Sequence, residues 1–325
     1  MPFCFYRQNP RTWQTIRVEN DSYFQIRVGT LLPDAALPFD LYVLVNKKYI
    51  HYLPAGGKIS QEKISKLKGS EQFFIPLPQR QAFKNFISSA LNQDSVSVAA
   101  KAKILRDTSI SLVEEIYEKK DISEALNDSK EVVGHFVKLL NETPESIDHL
   151  IQLSTHDFYT FNHSLDVSVY ALGIGKLVGY SDEMLAELGR GSLFHDIGKK
   201  WVAAEIICKK GALDEAEWAQ MQRHPEYGLK ILSEYDVSEA IKACCFEHHE
   251  SFLGNGYPQR LDGPSIHPMA RIVAIADTFD ALTTQRSYNQ PMTPKDALLF
   301  ISTKIKDKYD PDILKALNDV VNKLD

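Results

Sequence analysis

Thiols are scarce in this chain, and those present are badly placed for metal or redox work. Its 325 residues hold four cysteines, Cys4, Cys208, Cys244 and Cys245, with no C-x-x-C pair among them. This spacing argues against a disulfide framework and for a reducing compartment. Long apolar runs are also missing, because no stretch approaches the ~18 residues that a membrane span needs. The opening M-P-F-C-F-Y-R-Q-N-P lacks the basic end and apolar run of a signal peptide. A cytoplasmic protein without a membrane span is therefore expected. Positive charge is not in excess either, since the formal net charge is −6. That makes long nucleic acid a poor partner and leaves room for a small anion held by metals and a few basic groups. The N-terminal third shows no glycine-rich phosphate loop.

Apolar residues, by contrast, suffice for a sizeable core: 44% of the chain is hydrophobic and 25% charged. The length suggests two domains. Residues 1–98 read as a mixed α/β domain, with strand patterns at 15–19, 23–28, 41–45, 48–53 and 72–75 and helices at 60–67 and 80–91. Residues 99–144 carry two apolar stripes at helical spacing, Leu105 to Ile116 and Ile122 to Leu140. They suit a helical connector or a homodimer contact through residues 100–140. Residues 145–325 read as helical throughout, with a helix from near His163, another ending at His195, a buried one over 266–282 and an amphipathic one at the C-terminus. The fold class expected is α+β overall, a mixed α/β domain followed by an all-α domain. The first is read as regulatory or oligomerising.

The chemistry gathers in the second half. His195-Asp196 opens H-D-I-G-K, His248-His249-Glu250 runs into a turn ending Gly256-Tyr257-Pro258, and Asp277 lies in A-D-T-F-D-A-L. These supply imidazoles and carboxylates, the donors of hard or borderline metals that activate water, so a metal-dependent hydrolase is expected. Asp196 follows His195 at a fraying helix end, where both side chains can reach one cluster, with Gly198 permitting a sharp departure and Lys199 placing a cation nearby. His163, His195, Asp196, His224, His248, His249 and Asp277 are too many donors for one ion with an open position and fit two ions, iron or manganese before zinc. Glu250 is expected to orient a ligand histidine and Asp280 to support or cap rather than ligate.

Taken together, H-D-I-G-K, H-P-E-Y-G (224–228), H-H-E-x-x-x-G-x-G-Y-P and D-T-F-D-A-L-T-T-Q-R-S-Y resemble the HD-GYP family over residues 145–325. The resemblance implies an HD-type helical fold. It also implies hydrolysis of cyclic di-GMP to pGpG, and onward to GMP, through a bridging hydroxide at the metals. The seven residues above are the implied ligands, with Asp196 and Lys199 catalytic. Lys199, Gly256, Tyr257 and Arg286 are the implied substrate contacts, and a GGDEF-type diguanylate cyclase is an implied partner. The chain departs from the family pattern at Tyr159, which argues against a third metal, at Leu253, which should loosen the Gly-Tyr-Pro loop, and at Asn289, where a phosphate contact is missing. Two alternatives stay open: a metal-containing cyclic di-GMP-binding module that signals through that loop with weak turnover, and a phosphodiesterase for another cyclic dinucleotide.

Overall fold

The computed structural model describes residues 22–66, 73–143, 146–153, 160–209, 211–284 and 290–322. The chain forms two compact units that part between Asp128 and Ser129.

The first unit holds strands β1 (Tyr23–Ile26), β2 (Leu41–Val45), β3 (Lys48–Leu53) and β4 (Phe73–Pro76), with helices α1 (Gln61–Lys66), α2 (Arg80–Leu91) and α3 (Val98–Glu118). The strands make one antiparallel sheet in the order β1-β4-β2-β3. β2 and β3 join through Asn46 and Lys47, both at positive φ, the geometry that lets a two-residue hairpin follow the twist of its strands. Phe39, Leu41, Phe73 and Ile75 are fully buried. The expected strand at 15–19 lies outside the described residues. Arg80 binds both oxygens of Glu115 at 2.8–2.9 Å and Asp128 at 2.8 Å, so its own unit satisfies a largely buried charge.

The second unit is helical throughout its described residues. It takes up α4 (Ser123–Glu142) from Ser129 onward and continues through α5 (Ser146–Gln152), α6 (Thr160–Val178), α7 (Asp182–Phe194), α8 (Ala204–Ile207) and α9 (Glu215–Met221). α10 (His224–Leu232), α11 (Glu239–Glu247), α12 (Pro268–Thr283), α13 (Pro294–Lys304) and α14 (Pro311–Val321) complete it. The helices begin where the sequence supplies caps. Ser181 accepts from the Met184 N–H to open α7 and Ser238 from that of Ile241 to open α11, while Asp214 and Glu217 form a capping box on α9. α12 is the central element, with Ile272, Val273, Ile275, Ala276 and Phe279 buried, and it packs on α6, α11 and α14. A helix apolar on nearly every face has no solvent side, so it becomes the axis of the unit. No helix among the described residues is long and apolar enough to cross a membrane. The architecture is α+β, with a small sheet in the N-terminal region followed by a helical unit.

Candidate metal centre

The site forms where α6, the end of α7, the start of α10, the end of α11 and α12 converge. His195 caps the C-terminus of α7, and Asp196 enters a 3-10 turn over Ile197–Trp201. That turn lies against α10 because two glycines permit it. A Cβ on Gly198 would lie 1.8 Å from the His224 carbonyl oxygen and 2.5 Å from the Gly228 nitrogen. Gly198 thus serves close backbone approach rather than a sharp departure. A Cβ on Gly228 would in turn lie 2.2 Å from the Cys245 sulfur on α11. The glycines of H-D-I-G-K and H-P-E-Y-G thereby draw His224 toward Asp196 and hold α10 on α11, which carries His248 at its C-cap.

Three imidazoles are oriented by backbone carbonyls. The Nδ1 of His195 donates to the Ser192 carbonyl at 2.7 Å, that of His224 to Met221 at 2.7 Å and that of His248 to Cys245 at 2.8 Å. Each Nδ1 therefore carries the proton, and each Nε2 presents a lone pair. The Nε2 atoms of His224 and His248 are 3.2 Å apart, and the buried Nε2 of His195 has no hydrogen-bond partner among the described residues. Bare, facing lone pairs in a buried site need a cation between them.

Asp196 lies at the middle, 1% exposed. Its Oδ1 is 3.3 Å from His224 Nε2 and 3.9 Å from His248 Nε2, while its Oδ2 is 3.4 Å from His195 Nε2 and 3.6 Å from His163 Nε2. Each oxygen thus faces a different set of imidazoles. His224, His248 and His249 bring their donor atoms within 4.8 Å of one another, as do His163, His195 and Asp277, and His195, Asp196 and His248 form a third such group that joins the two. All seven residues named from sequence meet here, and their donor set fits divalent metal.

The electrostatics agree. Burial works against the carboxylate of Asp196, yet the Lys199 ammonium and the surrounding imidazoles hold it well below the usual carboxylate range. Asp277 is likewise held down against burial, chiefly by its hydrogen bond with His163. Burial drives His224 to about 3 and His249 to about 4, so both are neutral and able to ligate. His163 moves the opposite way. Burial opposes its charge, but hydrogen bonds to Asp277 and Asp280 raise it to about 9. Its Nδ1 lies 2.6 Å from Asp280 Oδ2 and its Nε2 3.1 Å from Asp277 Oδ1. Asp280 supports a histidine, as its place one turn after Asp277 suggested.

Glu250 departs from expectation. Its carboxylate accepts the backbone N–H groups of Gln259, Arg260 and Leu261 at 2.6–3.1 Å and so fastens the loop after Pro258 instead of orienting an imidazole. Around Leu253 the loop is tied by backbone hydrogen bonds. The Tyr257 N–H bonds the His249 carbonyl at 3.2 Å, the Phe252 N–H bonds that of Lys308 at 2.9 Å, and Gly254 takes the left-handed turn at φ 74°. Gly256 is needed for close approach, since a Cβ there would lie 2.4 Å from the Ser251 nitrogen. The Tyr257 ring stacks on His249 with centroids 4.8 Å apart, and burial pushes its phenol up, so the hydroxyl stays a donor at neutral pH. Lys199 pairs its ammonium with Asp196 Oδ2. Tyr159, Arg286 and Asn289 lie outside the described residues. Sequence reading passed over Trp218, whose ring meets that of Tyr257 edge-on at 6.5 Å, and over the three carbonyls, which no side-chain motif encodes.

Residues 135–313 match the HD domain family. The chain is 37% identical over 166 residues to the 3'3'-cGAMP-specific phosphodiesterase 3 of Vibrio cholerae, an alignment covering 51% of this chain and 36% of that protein. It is 32% identical over 163 residues to a cyclic di-GMP phosphodiesterase of Pseudomonas aeruginosa, covering 50% and 39%. The matches therefore span well under half of each relative's own length. Among solved structures, an HDG"Y"P protein from Bdellovibrio bacteriovorus shares the fold with a TM-score of 0.71 at 20% identity, over 92% of this chain and 99% of that one.

Proposed function

We propose, for a chain that belongs to the HD-domain family and to the HD-GYP group within it, the hydrolysis of a cyclic dinucleotide at a two-metal centre. The observation that carries this reading is the division of Asp196, one oxygen toward His224 and His248, the other toward His163 and His195. The ligands are then His224, His248 and His249 on one side and His163, His195 and Asp277 on the other, with Asp196 between. Iron or manganese suits this donor mixture. Such ions supply Lewis-acid charge for a phosphodiester and a nucleophile from water at neutral pH. The chain's own contribution is to fix the imidazoles through backbone carbonyls, to exclude water by burial, and to place the Lys199 cation where phosphoryl charge grows. Gly256, Tyr257 and Arg286 are the proposed substrate contacts.

Cyclic di-GMP is the proposed substrate and pGpG the first product. A second reading, 3'3'-cGAMP, is supported by the 37% identity to a phosphodiesterase specific for it. Metal-replete protein, incubated without oxygen with each dinucleotide, should release the linear product, with metal content measured on the same sample. Turnover of neither dinucleotide by protein carrying its metals would sink the enzymatic reading. Preference for one dinucleotide decides between the two substrates.

A further inference from the structure

Helix α9 has no buried residue, yet it presents a tryptophan. Trp218 is 47% exposed, so the core makes little use of the ring. Its position is nonetheless well defined. The capping box of Asp214 and Glu217 closes one end of α9, Glu217 also binds the Lys209 ammonium, and the Trp218 carbonyl accepts the Gln222 N–H at 2.9 Å. Three residues beyond Trp218, the Met221 carbonyl holds the Nδ1 of His224. The tryptophan is thus tied through one turn of helix to a residue of the metal centre.

Its neighbour completes the geometry. One face of Tyr257 is stacked on His249, so that face is closed to a ligand. Trp218 meets Tyr257 at an interplanar angle of 78° with centroids 6.5 Å apart. The two rings form a corner, and the sequence His249, Tyr257, Trp218 leads from the metal centre to solvent. Planar heteroaromatic bases gain most of their protein affinity from such surfaces, by stacking on one ring with an edge against another.

We propose that Trp218 and Tyr257 together hold one purine of the dinucleotide, and that Trp218 is a base-stacking residue which sets affinity for the nucleobase-bearing substrate. This rests on the cyclic-dinucleotide reading above. A Trp218 platform acts on binding and leaves the metals untouched, which separates it from a structural role.

The test compares wild type, Trp218→Ala and Trp218→Phe, each loaded with metal and assayed for metal content. Cyclic di-GMP, 3'3'-cGAMP and methyl p-nitrophenyl phosphate, a diester without a purine, are the substrates. Trp218→Ala should raise KM for both dinucleotides roughly ten- to hundredfold, as loss of one base stack predicts. Its kcat, its metal content and its rate on the simple diester should stay within about twofold, and Trp218→Phe should restore most of the affinity. Unchanged KM, equal loss on all three substrates, or lost metal would overturn the proposal. If wild type hydrolyses neither dinucleotide, the enzymatic reading fails separately, and calorimetric binding of cyclic di-GMP to the same three proteins decides the stacking role. Wild-type binding weakened by Trp218→Ala sustains it, and equal or absent binding overturns it.

Discussion

The backbones of Gly198 and His224 touch, so closely that a Cβ on Gly198 would lie 1.8 Å from the His224 carbonyl oxygen. Backbone cannot yield as a flexible side chain can. Gly198→Ala should therefore separate the 3-10 turn from α10, cost at least ~1–3 kcal/mol of stability, and lower bound metal by displacing His224 from Asp196. Thermal unfolding with metal analysis checks this. A variant of wild-type stability and metal content would show that the contact relaxes freely.

Asp196→Asn should reduce hydrolysis at least a thousandfold, about 4 kcal/mol of transition-state stabilisation at 1.36 kcal/mol per tenfold. It should also lower metal content while helicity is retained, because both oxygens face imidazoles and a neutral amide offers one acceptor. Activity within about tenfold of wild type would remove Asp196 from the centre.

Asp280→Asn tests support at one remove. Asp280 binds His163 Nδ1 at 2.6 Å and leaves His163 Nε2 to face Asp277 and Asp196. Loss of its charge should weaken metal binding about 10- to 100-fold without removing a ligand. Competition with a chelator of known affinity measures this, and an unchanged affinity would leave Asp280 only the hydrogen bond that it accepts from the Thr284 hydroxyl at 3.0 Å.

Metal binding should depend on pH through His163. With its proton affinity raised to about 9, His163 is protonated at neutral pH when metal-free, and Nε2 must lose that proton to ligate. Asp196 and Asp277 are already ionised, and His224 and His249 already neutral, so they add nothing in this range. Apparent affinity for manganese should thus rise about tenfold per pH unit from 6.5 to 8.5 and level off near 9, with about one proton released per chain. Calorimetry in buffers of different ionisation heat counts the proton. No release at pH 7.5 would contradict the assignment.

Glu250→Gln should loosen the substrate loop and spare the metals. One carboxylate accepts three backbone N–H groups, whereas an amide would turn its own donor toward one of them. A stability loss of about 1.5–3 kcal/mol and a raised KM for the dinucleotide are expected, with metal content intact. Coincident loss of metal would mean that the loop also holds His248 and His249 in place.

The sequence by itself determined the helical unit and named the seven residues that gather at the candidate metal centre. The caps at Ser181, Asp214 and Ser238 and the all-round apolarity of α12 are local properties of the chain. The strands at 41–45 and 48–53 and the helix at 80–91 were equally legible, from alternation and composition. The seven donors stood out as imidazoles and carboxylates grouped in short motifs. Tertiary structure decided what no local pattern carries. It assigned Glu250 to the loop and Asp280 to His163. It turned Gly198 from a bend into a contact and gave three imidazoles their carbonyl partners. It also set Trp218 against Tyr257, two rings 39 positions apart in the chain. The reason is physical. Propensity and periodicity act over one or two turns, whereas the partner of a carboxylate, a carbonyl or an aromatic edge depends on which helices pack, and that is settled by the burial of the whole core.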